Sequence, residues 1–90
     1  EPSRAAIAVA PGRALQLRSR ALETGPAPAS LRLPADWDVI RVAYTDRFAF
    51  AGALAALGDA VVVLEPHVLH ADVVAHLRAV AALAAAAEEE

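Results

Sequence analysis

Proline and glycine punctuate this chain so often that only short strands and helices fit between them. The breaks fall at Pro11-Gly12, Gly25-Pro26, Pro28, Pro34, Gly58 and Pro66. A proline forbids continuing a helix through it, and a glycine takes the positive φ at which helices commonly end. Hydrophobic spacing then assigns the pieces. Residues 5–11, AAIAVAP, alternate Ile7 and Val9 with small residues and predict a strand. Residues 13–25, RALQLRSRALETG, put Leu15, Arg18 and Leu22 on one helical stripe and Ala14, Leu17 and Ala21 on its neighbour, which predicts an amphipathic helix stopped by Gly25. PAPAS, 26–30, is a linker. LRL (31–33) and WDVIRVAY (37–44) both alternate, and the PAD between them is short enough for a hairpin turn. Thr45 or Asp46 can cap a helix over 47–57 with Phe50, Leu54 and Leu57 inward and Gly58 as its stop. AVVVLE, 60–65, is a strand apolar on both faces. Pro66 suits the first turn of a last helix running to about Ala87, with Leu69, Val73, Leu77, Val80 and Ala84 inward.

The order β-α-β-β-α-β-α is two strand-helix-strand halves and one further helix. With right-handed crossovers it closes most simply as an α+β, ferredoxin-like β-α-β-β-α-β sandwich, a single domain over residues 1–90 with an additional C-terminal helix. One sheet face then stays open, and the last helix is expected to cover part of it or to pack on another chain. Ninety residues bury only roughly 60–65% of the unfolded surface. Hydrophobic content is 58%, but 25 residues are Ala and four are Phe, Tyr or Trp, so the core is small and a partner surface is expected. No apolar run approaches the roughly 20 residues of a membrane span and no signal peptide is recognisable, which predicts a cytoplasmic domain with no membrane partner. The chain begins at Glu1, without Met, and reads as processed or cut from a longer protein.

Residue identity removes several chemistries. Without Cys there are no disulfides, thiol catalysis or Cys-based zinc sites. His67 and His70 are three apart, a spacing that can grip a metal, but a third ligand is missing and His76 faces away, so no metal or other cofactor is expected. Ser3, Ser19, Ser30, Thr24 and Thr45 lie in no glycine elbow and beside no evident base, and no enzyme is expected. An acylphosphatase would need an Asn, and the chain has none. A base-stacking RNA domain would need aromatics where the first strand has AIAVA. What survives is Arg13, Arg18 and Arg20, within eight residues on or beside the first helix. They are either a solvated charged face or a site for phosphate or nucleic acid at a helix start. A net charge of −3 argues against broad non-specific DNA binding by this piece alone.

Two stretches carry a family resemblance. IAVAPGRALQLRSRA (7–21) and GDAVVVLEPHVLHADVVAHLRAVA (58–81), joined through WDVIRVAYTD, resemble the C-terminal extension (WCX) domain of WYL-domain bacterial transcriptional regulators, most like the proteasome accessory factor B and C type. The shared pattern is a Pro-Gly-Arg turn followed by Leu-Arg and further arginine, then a glycine, a valine run, Glu-Pro and a last helix. His70 departs from it, standing where the family usually has Arg, which weakens any anion contact there or makes it pH-dependent. The resemblance implies a regulator of the DNA damage response whose helix-turn-helix and WYL domains lie outside this chain. It also implies a role for this domain in dimerisation, as a homodimer or with a paired paralogue, and in response to an effector, implicated as single-stranded DNA. No specific duplex DNA binding is expected of this piece, which lacks a recognition helix. On one continuous helix Arg13 and Arg20, seven apart, share a face and are the expected effector contacts, while Arg18 anchors the helix. The alternative is a ferredoxin-like small-molecule sensor that holds its ligand at a dimer interface.

Overall fold

The computed structural model of the chain describes residues 3–34 and 36–88. Ala35 of the expected PAD turn and the last two glutamates lie outside the described residues. The elements are β1 (Ser3–Val9), α1 (Leu15–Arg18), β2 (Glu23–Pro26), β3 (Asp38–Tyr44), α2 (Arg47–Ala56), β4 (Val61–Glu65) and α3 (His67–Glu88). The sheet order is β2-β3-β1-β4 with every neighbouring pair antiparallel, the ferredoxin-like arrangement. β1 and β3, the apolar central strands, pair along their whole length from Ser3–Tyr44 to Val9–Asp38.

Alternation puts Ile7, Val9, Ile40, Val42, Tyr44, Val61 and Val63 on one face of the sheet, all buried. Phe50, Ala51 and Leu54 of α2, Leu69 of α3 and Leu17 close the core over them. α2 is held at both ends as its sequence predicts. The Asp46 carboxylate accepts a hydrogen bond from the Ala49 amide at 3.0 Å, and Gly58 follows the helix at φ +61°. Replacing Asp46 by Ala is expected to lower stability by about 1 kcal/mol, as for other side-chain N-caps, and a urea melt measures it.

The first half departs from expectation. Instead of a helix over 13–25, α1 is a single turn of four residues. Leu15 and Leu22, expected with Arg18 on one helical stripe, are 68% and 55% exposed, and Leu17 of the neighbouring stripe is the residue that faces inward. The second strand is not LRL at 31–33 but ETGP at 23–26, led in by the Leu22 amide donating to the Arg41 carbonyl at 2.7 Å. Strand β3 has one free edge, and the nearer segment takes it. Pro26 is tolerated at the last position of an edge strand, where its missing N–H breaks no inner ladder. Leu31 and Leu33 instead sit in successive turns, donating to the Pro28 and Leu31 carbonyls.

The last helix also differs. It packs on the core face, through Leu69 and the partly buried Val73, and not on the opposite sheet face, where Ala6 and Ala8 are nonetheless buried. Asp72 binds Arg47 of α2 at 2.7 Å and fixes the two helices side by side. By length and mean hydropathy of 1.5 α3 would suffice to cross a membrane, contrary to the expectation from apolar runs. Alanine raises that average, while its first ten residues are tied into the domain. From Leu77 onward every described residue is exposed, and Leu77, Val80 and Leu83 (42%, 63% and 72%) prolong the core-facing stripe beyond the fold.

Candidate functional site

The three arginines are separated by what their side chains reach. Gly12 at φ +69° and Ala14 at φ +56° bend the chain between β1 and α1, and such turns need a brace. Arg18 supplies it: Nη2 donates to the Ala10 carbonyl at 2.8 Å, Nε to the Arg13 carbonyl at 3.0 Å, and Nη1 to Asp38 Oδ2 at 2.9 Å. One planar guanidinium thus links the turn to the start of β3, a task suited to its rigid fork of donors.

Arg13 is free by comparison. It is 57% exposed and 3.9 Å from the fully hydrated Asp59, a separation that contributes little. Arg20 lies beyond the end of α1, so no shared helical face joins it to Arg13, and a one-turn helix offers no macrodipole of consequence. The chain brings the two together differently. Arg20 Nη2 donates to the Ala43 carbonyl at 3.1 Å, with its guanidinium carbon 5.5 Å from the centre of the Phe50 ring. Phe50 in turn stacks on Tyr44 at 4.9 Å. Arg13 and Arg20 therefore border one groove of about 480 Å³ between the 12–17 segment and α2, floored by Leu17, Phe50, Ala53, Leu54 and Leu57. An apolar floor with two cations on the rim suits an amphipathic anion with a flat apolar part.

A second groove, about 540 Å³, lies on the opposite sheet face, where Arg41 stands between Glu23 (3.6 Å) and Glu65 (4.0 Å) beside Leu31, Val39 and Leu64. The rings of His67 and His70 lie nearly parallel with centres 6.3 Å apart, and His76 stands elsewhere. His76 lies against Phe48 at 5.0 Å between ring centres, and His70 Nδ1 is 3.1 Å from the Val63 carbonyl oxygen. Among the described residues no three His, Asp or Glu side chains gather as a metal site would require. Sequence reasoning missed Phe50 as a groove residue, since it read as core, and Tyr44 as the ring that stacks behind it. The signal was the aromatic pair itself, in a chain with only four aromatics.

The family model of the WCX domain matches residues 1–81. The chain belongs to the WCX family. A solved structure agrees: proteasome accessory factor B/C (PafBC) of Arthrobacter aurescens superposes with a TM-score of 0.75 at 30% identity, over 82% of this chain and 11% of that one. Among curated proteins none matches. The resemblance carried by the Pro-Gly-Arg turn and the valine strand is borne out. This WCX domain is thus of the type that forms the C-terminal domain of WYL-family regulators, and it spans about a ninth of the PafBC chain. The WCX match ends at Ala81, so the apolar stretch of α3 around Leu83 extends past it.

Proposed function

We propose that this WCX domain is a non-enzymatic, cytoplasmic regulatory module that contacts an anionic effector, single-stranded DNA in the damage-responsive type, through the groove between Arg13 and Arg20. The observation that carries this is the convergence of two exposed guanidiniums from different segments on one groove floored by Phe50. Single strands are bound by cations that track the backbone and by aromatic or guanidinium planes on which bases stack. The chain as a whole is acidic, so attraction has to be local to the groove rim. The exposed stripe Leu77, Val80 and Leu83 serves pairing with a second copy or a paralogue, since a monomer of this size rarely leaves such a row open.

The test replaces Arg13 and Arg20 by Ala in the intact regulator that carries this domain. Anisotropy with labelled single-stranded oligothymidylate should show affinity falling about tenfold and the slope of log affinity against log salt shrinking by about 1.4, two phosphate contacts at about 0.7 each. The melting temperature should fall by only a few degrees, because Arg13 is loosely paired and the Arg20 bond to the Ala43 carbonyl is solvent-exposed. Unchanged affinity and slope would return the arginines to a solvated face. The groove around Arg41, on the sheet face away from the helices, favours the second reading, a small-molecule sensor closed by a partner's sheet. In that case Arg41→Ala, and not the double variant, removes the response.

A further inference from the structure

The sheet face away from α2 and α3 carries one row of residues that crosses all four strands. Register places Glu23 of β2 beside Arg41 of β3, Arg41 beside Ala6 of β1, and Ala6 beside Glu65 of β4. A guanidinium thus stands between two carboxylates, yet neither saturates it. Its Nε is 3.6 Å from Glu23 Oε2 and its Nη1 4.0 Å from Glu65 Oε2, both longer than a hydrogen bond. Half of the Arg41 side chain is exposed, and all three charged residues line the groove of about 540 Å³.

The residues between the charges make this a depression rather than a flat row of ion pairs. Ala6 and Gly25 put almost nothing into it, and a Cβ at Gly25 would find no protein atom within 4 Å. Pro28, Leu31, Val39 and Leu64 supply apolar lining. Leu64 is the residue left unpaired where the β1–β4 register shifts, between Val63 opposite Ile7 and Glu65 opposite Ala6. A simple anion entering here meets two carboxylates against one guanidinium, and a simple cation meets Arg41 between them. A ligand that carries both charges a few bonds apart satisfies both signs.

We infer that this groove binds a free α-amino acid with an apolar side chain. Its carboxylate takes the fork of Arg41 donors, the geometry to which a guanidinium is suited. Its ammonium donates to Glu65, while Glu23 stays at Nε and positions the guanidinium. Its side chain lies over Ala6 and Gly25 against Leu31, Val39 and Leu64, in the manner of small-molecule sites that set a few polar groups in an apolar lining. This ligand rests on the small-molecule reading of the domain and is independent of Arg13 and Arg20, which border the groove beside α2.

The probes are L-valine, L-leucine and L-phenylalanine, each titrated without oligonucleotide into the isotope-labelled full chain while amide resonances are followed. At least one should move the Ala6, Arg41 and Leu64 amides saturably. The amide of that amino acid, which lacks the carboxylate, and its deaminated acid, which lacks the ammonium, should each bind at least about tenfold more weakly, the worth of one charge-assisted contact. Arg41→Gln should lose affinity to the same degree. Glu65→Gln should weaken the amino acid about tenfold but not the deaminated acid, a difference that a merely structural role would not produce. Gly25→Val fills the groove from a strand position that valine adopts readily, so it should fold as wild type by circular dichroism and not bind. The assignment is overturned by the absence of a saturable shift with all three probes, by equal binding of the amide or the deaminated acid, by indifference to Arg41→Gln or Glu65→Gln, or by a folded Gly25→Val that binds like wild type.

Discussion

Arg18→Ala is expected to lower the melting temperature by about 10–20 °C. The side chain makes three hydrogen bonds from one guanidinium, one of them to the Asp38 carboxylate at 2.9 Å, and is 22% exposed. Its loss leaves the Ala10 and Arg13 carbonyls without their donor and Asp38 without its cation. Hydrogen bonds to charged groups contribute about 1.5–3 kcal/mol where shielded. Water reaches part of this site, since Asp38 is 38% exposed, so the three together are worth about 2–3 kcal/mol rather than their sum. In a domain of this size 1 kcal/mol moves the midpoint by about 4–8 °C. Arg18→Lys keeps a charge near Asp38 but cannot fork to three acceptors, and about half of the loss should remain. Arg13→Ala, at an exposed and loosely paired site, should change stability by less than about 0.5 kcal/mol. Thermal unfolding followed by circular dichroism decides, and a melt of Arg18→Ala within about 2 °C of wild type would remove the brace from this account.

Leu69→Ala is expected to destabilise by about 2–5 kcal/mol. Leu69 is fully buried and is the one buried residue of the 22-residue α3. Removing its side chain opens a cavity where α3 enters the core, and leaves the helix attached through the partly buried Val73 and the Asp72–Arg47 pair. A domain of ninety residues is stable by roughly 5–13 kcal/mol, so this single change takes a large share. Hydrogen exchange should show α3 losing protection before the β1–β3 ladder does. Val80→Ala, three turns further along at 63% exposure, removes apolar volume with no core around it and should be nearly neutral in the isolated domain. Equal costs at the two positions would mean that the outer half of α3 is as well packed as the inner half.

The contrast between those two positions shows how far periodicity carries. Leu69, Val73 and Val80 belong to one apolar stripe, and spacing alone assigns all of them inward. The structure buries the first, half-buries the second and exposes the third, because the sheet ends before the helix does. Spacing identifies which residues share a face, but not how much protein lies opposite it. RALQLRSRALETG fails in the opposite direction: the pattern satisfies a helix over 13–25, and helix propensity along it is good, yet the chain leaves the helix after Arg18. The free edge of β3 needs a partner, and four residues of ladder together with the Arg18 brace outweigh the further helical turns. LRL had the better strand pattern and stayed in turns for the same reason, the edge being already occupied.

What the sequence by itself determined are the features that depend on neighbours within a few positions. These are the Asp46 cap and Gly58 stop around α2, the alternation of β1 and β3, the continuous apolar run of β4, the start of α3 after Pro66, and the motifs that mark the WCX family. They are legible because a cap, a stop or an alternation is settled by bonds and sterics inside one turn or one strand. What only the tertiary structure decided are the location of β2, the single-turn length of α1, the core-side position of α3, and the distinct tasks of three arginines that look alike in a string. Arg18 is defined by Asp38, twenty residues away, and Arg20 by Ala43 and Phe50, more than twenty away. A long side chain takes its role from whichever acceptor the folded backbone carries into its reach, and that proximity exists only once the sheet has closed.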